Sequence, residues 1–82
     1  MQDHNQIRDA ARQSVYEMIN RQVEDADSLI ASGLIDSLSV LKLIAQLEGR
    51  LGLRLPTDQL QPDDFESIEI IVETVERVAQ EP

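Results

Sequence analysis

Ser37 is the residue best placed to carry chemistry, because of what surrounds it in Gly33-Leu34-Ile35-Asp36-Ser37-Leu38. This run joins a turn, two apolar anchors, an acidic residue and a serine ahead of a helical pattern. Asp36 is a good N-cap, since its carboxylate can accept from the free N–H groups that open a helix. Ser37 then falls at or near the first helical position, where unpaired amides and a partial positive charge favour an attached anion such as a serine phosphodiester. The same position does not make Ser37 a nucleophile unaided, because no base stands near to take its proton. Another protein must modify it. The plainer alternative is that Ser37 only shares the helix cap with Asp36, and Ser39 reads as an exposed helical serine.

Little else in the chain offers chemistry. His4 is the one histidine and reads as an exposed residue near a fraying end. The pairs Asp25 with Asp27 and Asp63 with Asp64 lack the glycine and spaced oxygen donors of a calcium loop and read as solvated surface. With three scattered glycines there is no phosphate-cradling loop, and with no cysteine there is no thiolate or disulfide. No catalytic residue and no metal ligand is assigned.

The elements that must position Ser37 follow from apolar spacing. Ile7, Ala11, Val15 and Met18 recur at helical intervals behind a capping box of Asp3 with Gln6, which predicts a helix over 6–20. A long connection, 21–36, contains Leu29, Ile30, Leu34 and Ile35, too apolar to hang in water, and is expected to pack over the helices. The second helix spans 37–51, with Val40, Leu43, Ile44, Leu47 and Leu51 as its core stripe and Gly52 ending it in a left-handed conformation. An adjoining stripe holds Leu38, Leu41, Ala45 and Glu48 beside Ser37, either as core or as a docking surface. Gly49 suggests a close approach of another element. Residues 57–60 form a short turn and Pro62 begins another. Ser67 caps a last helix, 67–80, with Ile68, Ile71, Val72, Val75 and Val78 buried and Glu66, Glu69, Glu73 and Glu76 outside. The fold class is all-α: a single domain over 1–82, three main helices plus a short helical turn before the last, in all a four-helix bundle.

Composition sets the remaining bounds. Eighty-two residues allow one small domain, and aromatics at 2% leave an aliphatic core. Sixteen acids against seven bases give a net charge of −9, which opposes binding to nucleic acid and to anionic membranes. That charge either steers basic protein partners or merely keeps the chain soluble. Residues 1–6 are polar and lack the layout of a secretory signal, so the expected compartment is the cytoplasm.

In this order and spacing the chain resembles the acyl carrier and peptidyl carrier protein family. The likeness rests on Leu29, Gly33-Leu34 and Asp36-Ser37-Leu38, then Leu51-Gly52-Leu53, Leu55-Pro56 and Asp64-Phe65-Glu66-Ser67-Ile68. It runs from about Ile7 to Ala79. The resemblance implies that Ser37 receives 4'-phosphopantetheine from coenzyme A through a separate, magnesium-dependent phosphopantetheinyl transferase. The thiol of that arm would hold acyl or aminoacyl groups as thioesters for loading and downstream biosynthetic enzymes, of the fatty acid, polyketide or nonribosomal-peptide type. These partners would bind around Asp36, Leu38, Leu41, Ala45 and Glu48, and the carrier would work as a monomer without catalysing a reaction itself.

One feature departs from fatty-acid-type carriers, which crowd acids along the second helix. Here that helix holds Lys42, Arg50 and only Glu48. Carriers of aminoacyl or peptidyl groups, specialised acyl carriers and D-alanyl carriers fit better. From a different class, an unmodified acidic helical adaptor or assembly subunit that binds a basic partner also fits the composition.

Overall fold

Asp3 opens the first helix through a reciprocal capping box: its carboxylate accepts the Gln6 N–H at 2.8 Å, and the Gln6 side chain accepts the Asp3 N–H at 3.0 Å. Helix α1 therefore spans His4–Ile19, starting two residues before the expected 6–20, because the third residue after a cap already lies inside the helix. Asn20, at φ 56°, ends it in the left-handed region. Helix α2 spans Ser37–Leu51 and α3 spans Ile68–Ala79. The structure, a computed structural model, describes residues 3–79; the expected end of the last helix at Gln80 lies outside them.

The short turns expected over 57–60 and from Pro62 are both present, as the 3₁₀ turns Thr57–Gln59 and Pro62–Phe65; the described residues thus hold three α-helices, and the bundle is not four-helical as expected. Pro56 and Pro62 each lack an N–H, so no longer ladder of helical bonds can run between them. Ser67 caps α3 as expected, its hydroxyl accepting the Ile70 N–H at 3.1 Å. Among the described residues there is no strand, and no helix is long and apolar enough to cross a membrane.

Helix α1 packs against both α2 and α3. The core is aliphatic apart from Phe65: Ile7, Ala11 and Val15 of α1 meet Leu43 and Leu47 of α2 and Ile68, Ile71 and Val75 of α3, all buried. The predicted stripe of α2 is buried in full. Leu29 and Ile35 are buried as well, so the connection 20–36 contributes to the core, with Ile30 and Leu34 half-buried against it.

Glu66 holds that connection in place. The sequence pattern puts it among the outward glutamates of the last helix; instead it precedes α3, is half-buried, and turns back to residues 28–31. Its carboxylate accepts the Ser28 hydroxyl and the N–H groups of Ile30 and Ala31, at 2.9 and 3.0 Å, while its carbonyl accepts the Leu29 N–H at 2.7 Å. The Ser28 hydroxyl, then the Ala31 and Ile30 amides, hold its pKa below the ordinary value. Nearby, Arg8 pairs with Asp25 at 2.6 Å and the Asp25 carbonyl accepts the Glu69 N–H at 3.0 Å, which ties α1, the connection and the start of α3 together. Gly33, at φ 84°, makes the turn that returns the chain so that the Ile35 N–H reaches the Leu29 carbonyl at 2.8 Å.

Gly49 is exposed in α2, and a Cβ there would meet nothing within 4 Å. Among the described residues no other element comes close to it, contrary to the close approach its presence suggests. Gly49→Ala is expected to stabilise the fold by about 0.5–1 kcal/mol, read as a raised urea midpoint at unchanged slope. Glu66→Gln should lower stability and speed amide exchange at Ile30 and Ala31. Because the folded-state pKa of Glu66 is lowered, its stabilisation is present above the ordinary value of 4.5 and lost as pH falls from there through the lowered value. The stability gap between wild type and variant should therefore be open at pH 7 and close at the acid end of the titration. A gap independent of pH would contradict this.

Candidate functional site

Ser37 is the first residue of α2 and is exposed. Among the described residues its hydroxyl has no hydrogen-bond partner. Asp36 caps the helix from extended backbone, φ −92° and ψ 172°, and its carboxylate accepts the Ser39 N–H at 2.8 Å. The Asp36 pKa lies below its ordinary value, chiefly through that amide and the Ser39 hydroxyl, with smaller contributions from the Leu38 N–H and the Lys42 ammonium. The helix start is thus occupied in part by the chain's own carboxylate. This is the capping role that the sequence pattern assigns to Asp36.

Ser37 is exposed because it is the first residue of α2, with no earlier helical turn to cover it. Further along, with Val40, Leu43, Ile44, Leu47 and Leu51 turned inward, the residues well round the helix from that stripe must face solvent at 100° per residue. Leu38 is 78% and Leu41 60% exposed. Of the two readings left open for these leucines, core or surface, the structure gives surface. Ala45 is exposed beside them. Glu48 differs: it is half-buried, and its carboxylate accepts the Leu55 N–H at 2.7 Å, so it fastens the segment after α2. Arg50, at the far end, pairs with Glu17 at 2.6 Å and Gln13 at 2.9 Å.

The remaining candidates do structural work or none. His4 opens α1 with its ring 63% exposed and 3.2 Å from Glu76. Asp27 accepts the Glu24 N–H and Asp64 the Gln61 N–H, so these acids order turns rather than merely meeting solvent. Among the described residues no three metal-ligating side chains gather. Two open grooves exist, of about 470 and 340 Å³, one along α1 around Tyr16 and Arg21, the other between His4 and Glu73; Ser37 lines neither. Among the described residues the site is therefore an exposed hydroxyl on a capped helix start, outside both grooves, with no base hydrogen-bonded to it and no cluster of metal-ligating side chains. Such a hydroxyl can accept a phosphodiester; it cannot by itself drive a reaction. Sequence reasoning missed Glu66 and Lys42. Glu66 directly precedes Ser67, and a carboxylate before a capping serine could have been read as a loop anchor.

Comparisons with known proteins give the family of the chain. A family model described as "Phosphopantetheine attachment site" matches residues 5–78. The D-alanyl carrier protein of Streptococcus sanguinis (strain SK36) is 32% identical over 63 residues, 74% of this chain and 80% of that protein. The D-alanyl carrier proteins of Streptococcus gordonii (strain Challis) and Streptococcus thermophilus (strain ATCC BAA-491 / LMD-9) are each 35% identical over 49 residues, 60% of this chain and 62% of theirs. The chain thus spans less than two thirds of those two relatives. No solved structure matches significantly. The chain belongs to the phosphopantetheine-attachment family, whose members bear covalent 4'-phosphopantetheine and act as non-catalytic carriers for partner enzymes that load and use them.

Proposed function

We propose that Ser37 is the attachment residue and that the protein carries an acyl or aminoacyl group there for biosynthetic enzymes. The observation that carries this reading is the exposed, unpartnered Ser37 hydroxyl at the first position of α2, inside the span matched by the family. In the attachment step the hydroxyl oxygen bonds to the pantetheine-bearing phosphorus of coenzyme A. The pyrophosphate P–O bond breaks and the adenosine bisphosphate leaves. The hydroxyl proton must go to a base of the transferase, since Ser37 has none beside it. When bound, the arm supplies a thiol that holds cargo as a thioester.

For the cargo, an aminoacyl group is favoured, with D-alanine the first candidate. The names of the similar proteins and the shortage of free acids on α2 both point that way. Fatty-acid, polyketide and nonribosomal-peptide pathways are the competing settings. Chemistry occurs on the partners; the rigid helix start raises the effective concentration of the cargo at their sites. Asp36, Leu38, Leu41 and Ala45 would form the face these partners meet.

Incubation with coenzyme A, magnesium and a broad-specificity phosphopantetheinyl transferase should add one phosphopantetheine to the wild type, seen by intact mass. Ser37→Ala should abolish the gain while leaving the circular dichroism spectrum unchanged. Modification that survives Ser37→Ala would reject the assignment. Asp36→Ala should slow attachment by roughly tenfold or more, beyond its effect on helix content, because a charged contact at the reacting residue would be lost along with the cap. Equal rates for variant and wild type would confine Asp36 to capping.

A further inference from the structure

The larger of the two grooves runs along α1 and the first residues of the connection, and no residue of α2 lines it. Its volume is about 470 Å³, and its walls include Asp9, Arg12, Tyr16, Glu17, Arg21 and Val23. Tyr16 is 45% exposed, the one large apolar side chain outside α2 left so bare among the described residues. Val23 is half-buried against the core. At i and i+4, Arg12 and Tyr16 share one side of α1. Two acids on this face are held by bases from outside the groove. Arg50 of α2 pairs with Glu17 at 2.6 Å, and Arg8 pairs with Asp25 at 2.6 Å, so that Arg12 reaches Asp25 only at 4.0 Å. Arg21 is exposed and, among the described residues, within ion-pair distance of no carboxylate. Arg12 and Arg21 thus stand against a single uncommitted acid, Asp9, in a chain whose net charge is −9.

We infer that this groove is a docking site separate from α2, which takes an acidic segment of a partner protein and seats one of its aromatic side chains on Tyr16. Guanidinium groups match carboxylates through paired N–H donors, which suits Arg12 and Arg21 to glutamate or aspartate side chains. Tyrosine and arginine are the side chains that most often carry binding energy at protein contacts, and a tyrosine ring offers apolar area with few rotors to immobilise. A basic segment, which net charge alone suggests, would meet these two arginines and be repelled. A second copy of the chain brings its own −9 and is disfavoured as the occupant. The groove also lies away from the arm's attachment point. Glu17 in its wall is bonded to Arg50, which is about 20 Å along α2 from Ser37. A segment held in the groove therefore leaves the start of α2 uncovered, and one partner can retain the carrier while another acts at Ser37. The docking itself does not depend on which residue bears the arm.

The experiment titrates the isotope-labelled, unmodified chain with a capped peptide that has one tyrosine between two pairs of glutamates, following backbone amide shifts. Shifts should gather at Arg12, Tyr16, Arg21 and Val23 and spare Ser37 to Leu41. Arg21→Glu should weaken binding about tenfold or more, Tyr16→Ala by a similar factor, and a peptide with glutamines in place of the glutamates likewise. Lys42→Glu is the control: it changes the net charge identically from an exposed position on α2, outside the groove, and its affinity should stay within about threefold of wild type. Saturating peptide should leave the rate of arm transfer from coenzyme A by a broad-specificity transferase within about twofold. No groove shift at peptide concentrations on the order of millimolar, shifts centred on α2, or equal losses in Arg21→Glu and Lys42→Glu overturn the inference. So does self-association of the chain in sedimentation that Arg21→Glu abolishes, which would assign the groove to a second copy. A transfer rate that falls in step with peptide occupancy overturns the separation of the two sites. Failure of transfer to the wild type without peptide overturns the attachment at Ser37 instead, and the titration decides the groove on its own.

Discussion

Three hydrogen bonds to one carboxylate fix the part of the molecule on which the site depends. Glu66 gathers the Ser28 hydroxyl and the Ile30 and Ala31 amides, and so converts a long apolar connection into a rigid lead to α2. Without that anchor the stretch around Leu29 would have a less fixed route into the core. The Asp36 cap and the buried stripe of α2 set the start and phase of that helix locally, while Glu66, 29 residues beyond Ser37 in sequence, holds the connection that leads into it.

This distance explains what the sequence could and could not reveal. The three helices, the caps at Asp3, Asp36 and Ser67, and the stop at Gly52 all depend on residues within a few positions of one another, and local spacing reveals them. The position of Ser37 at the start of α2 follows from the same local signals. Glu66 was misread because its partners lie at residues 28–31, and nothing in helical periodicity records a bond across that separation. The exposure of Leu38 and Leu41 was ambiguous for a related reason. A stripe beside the core stripe is buried or bare depending on whether another helix covers it, and the two prolines, by replacing a fourth helix with 3₁₀ turns, bear on what is available to do so.

Net charge averages over surfaces that no single partner meets. The acids concentrate in the connections and on α3, where Asp25, Asp27, Asp64 and Glu66 serve as ligands for backbone amides or for arginines. Asp27, Asp64 and Glu66 in this way satisfy polar groups of irregular segments. On α2, where regular hydrogen bonding needs no such help, Glu48 is the one acid, and it too accepts an amide from the segment that follows.

A carrier that is modified after folding must be stable before its prosthetic group arrives. A helix whose first amides waited for a phosphate would be frayed at Ser37, the residue proposed for attachment. Asp36 removes that difficulty by satisfying the Ser39 N–H itself, leaving the Ser37 hydroxyl presented on an already ordered backbone. The cost is a carboxylate next to the position where a second negative charge would be attached, in a region where opposite charge is scarce. Lys42 is exposed further along α2, and its ammonium adds only a small share to the lowering of the Asp36 pKa. The cap thus makes the helix start independent of any attached group, and its cost is offset chiefly by the amide and hydroxyl of Ser39, which hold the capping carboxylate in its charged form.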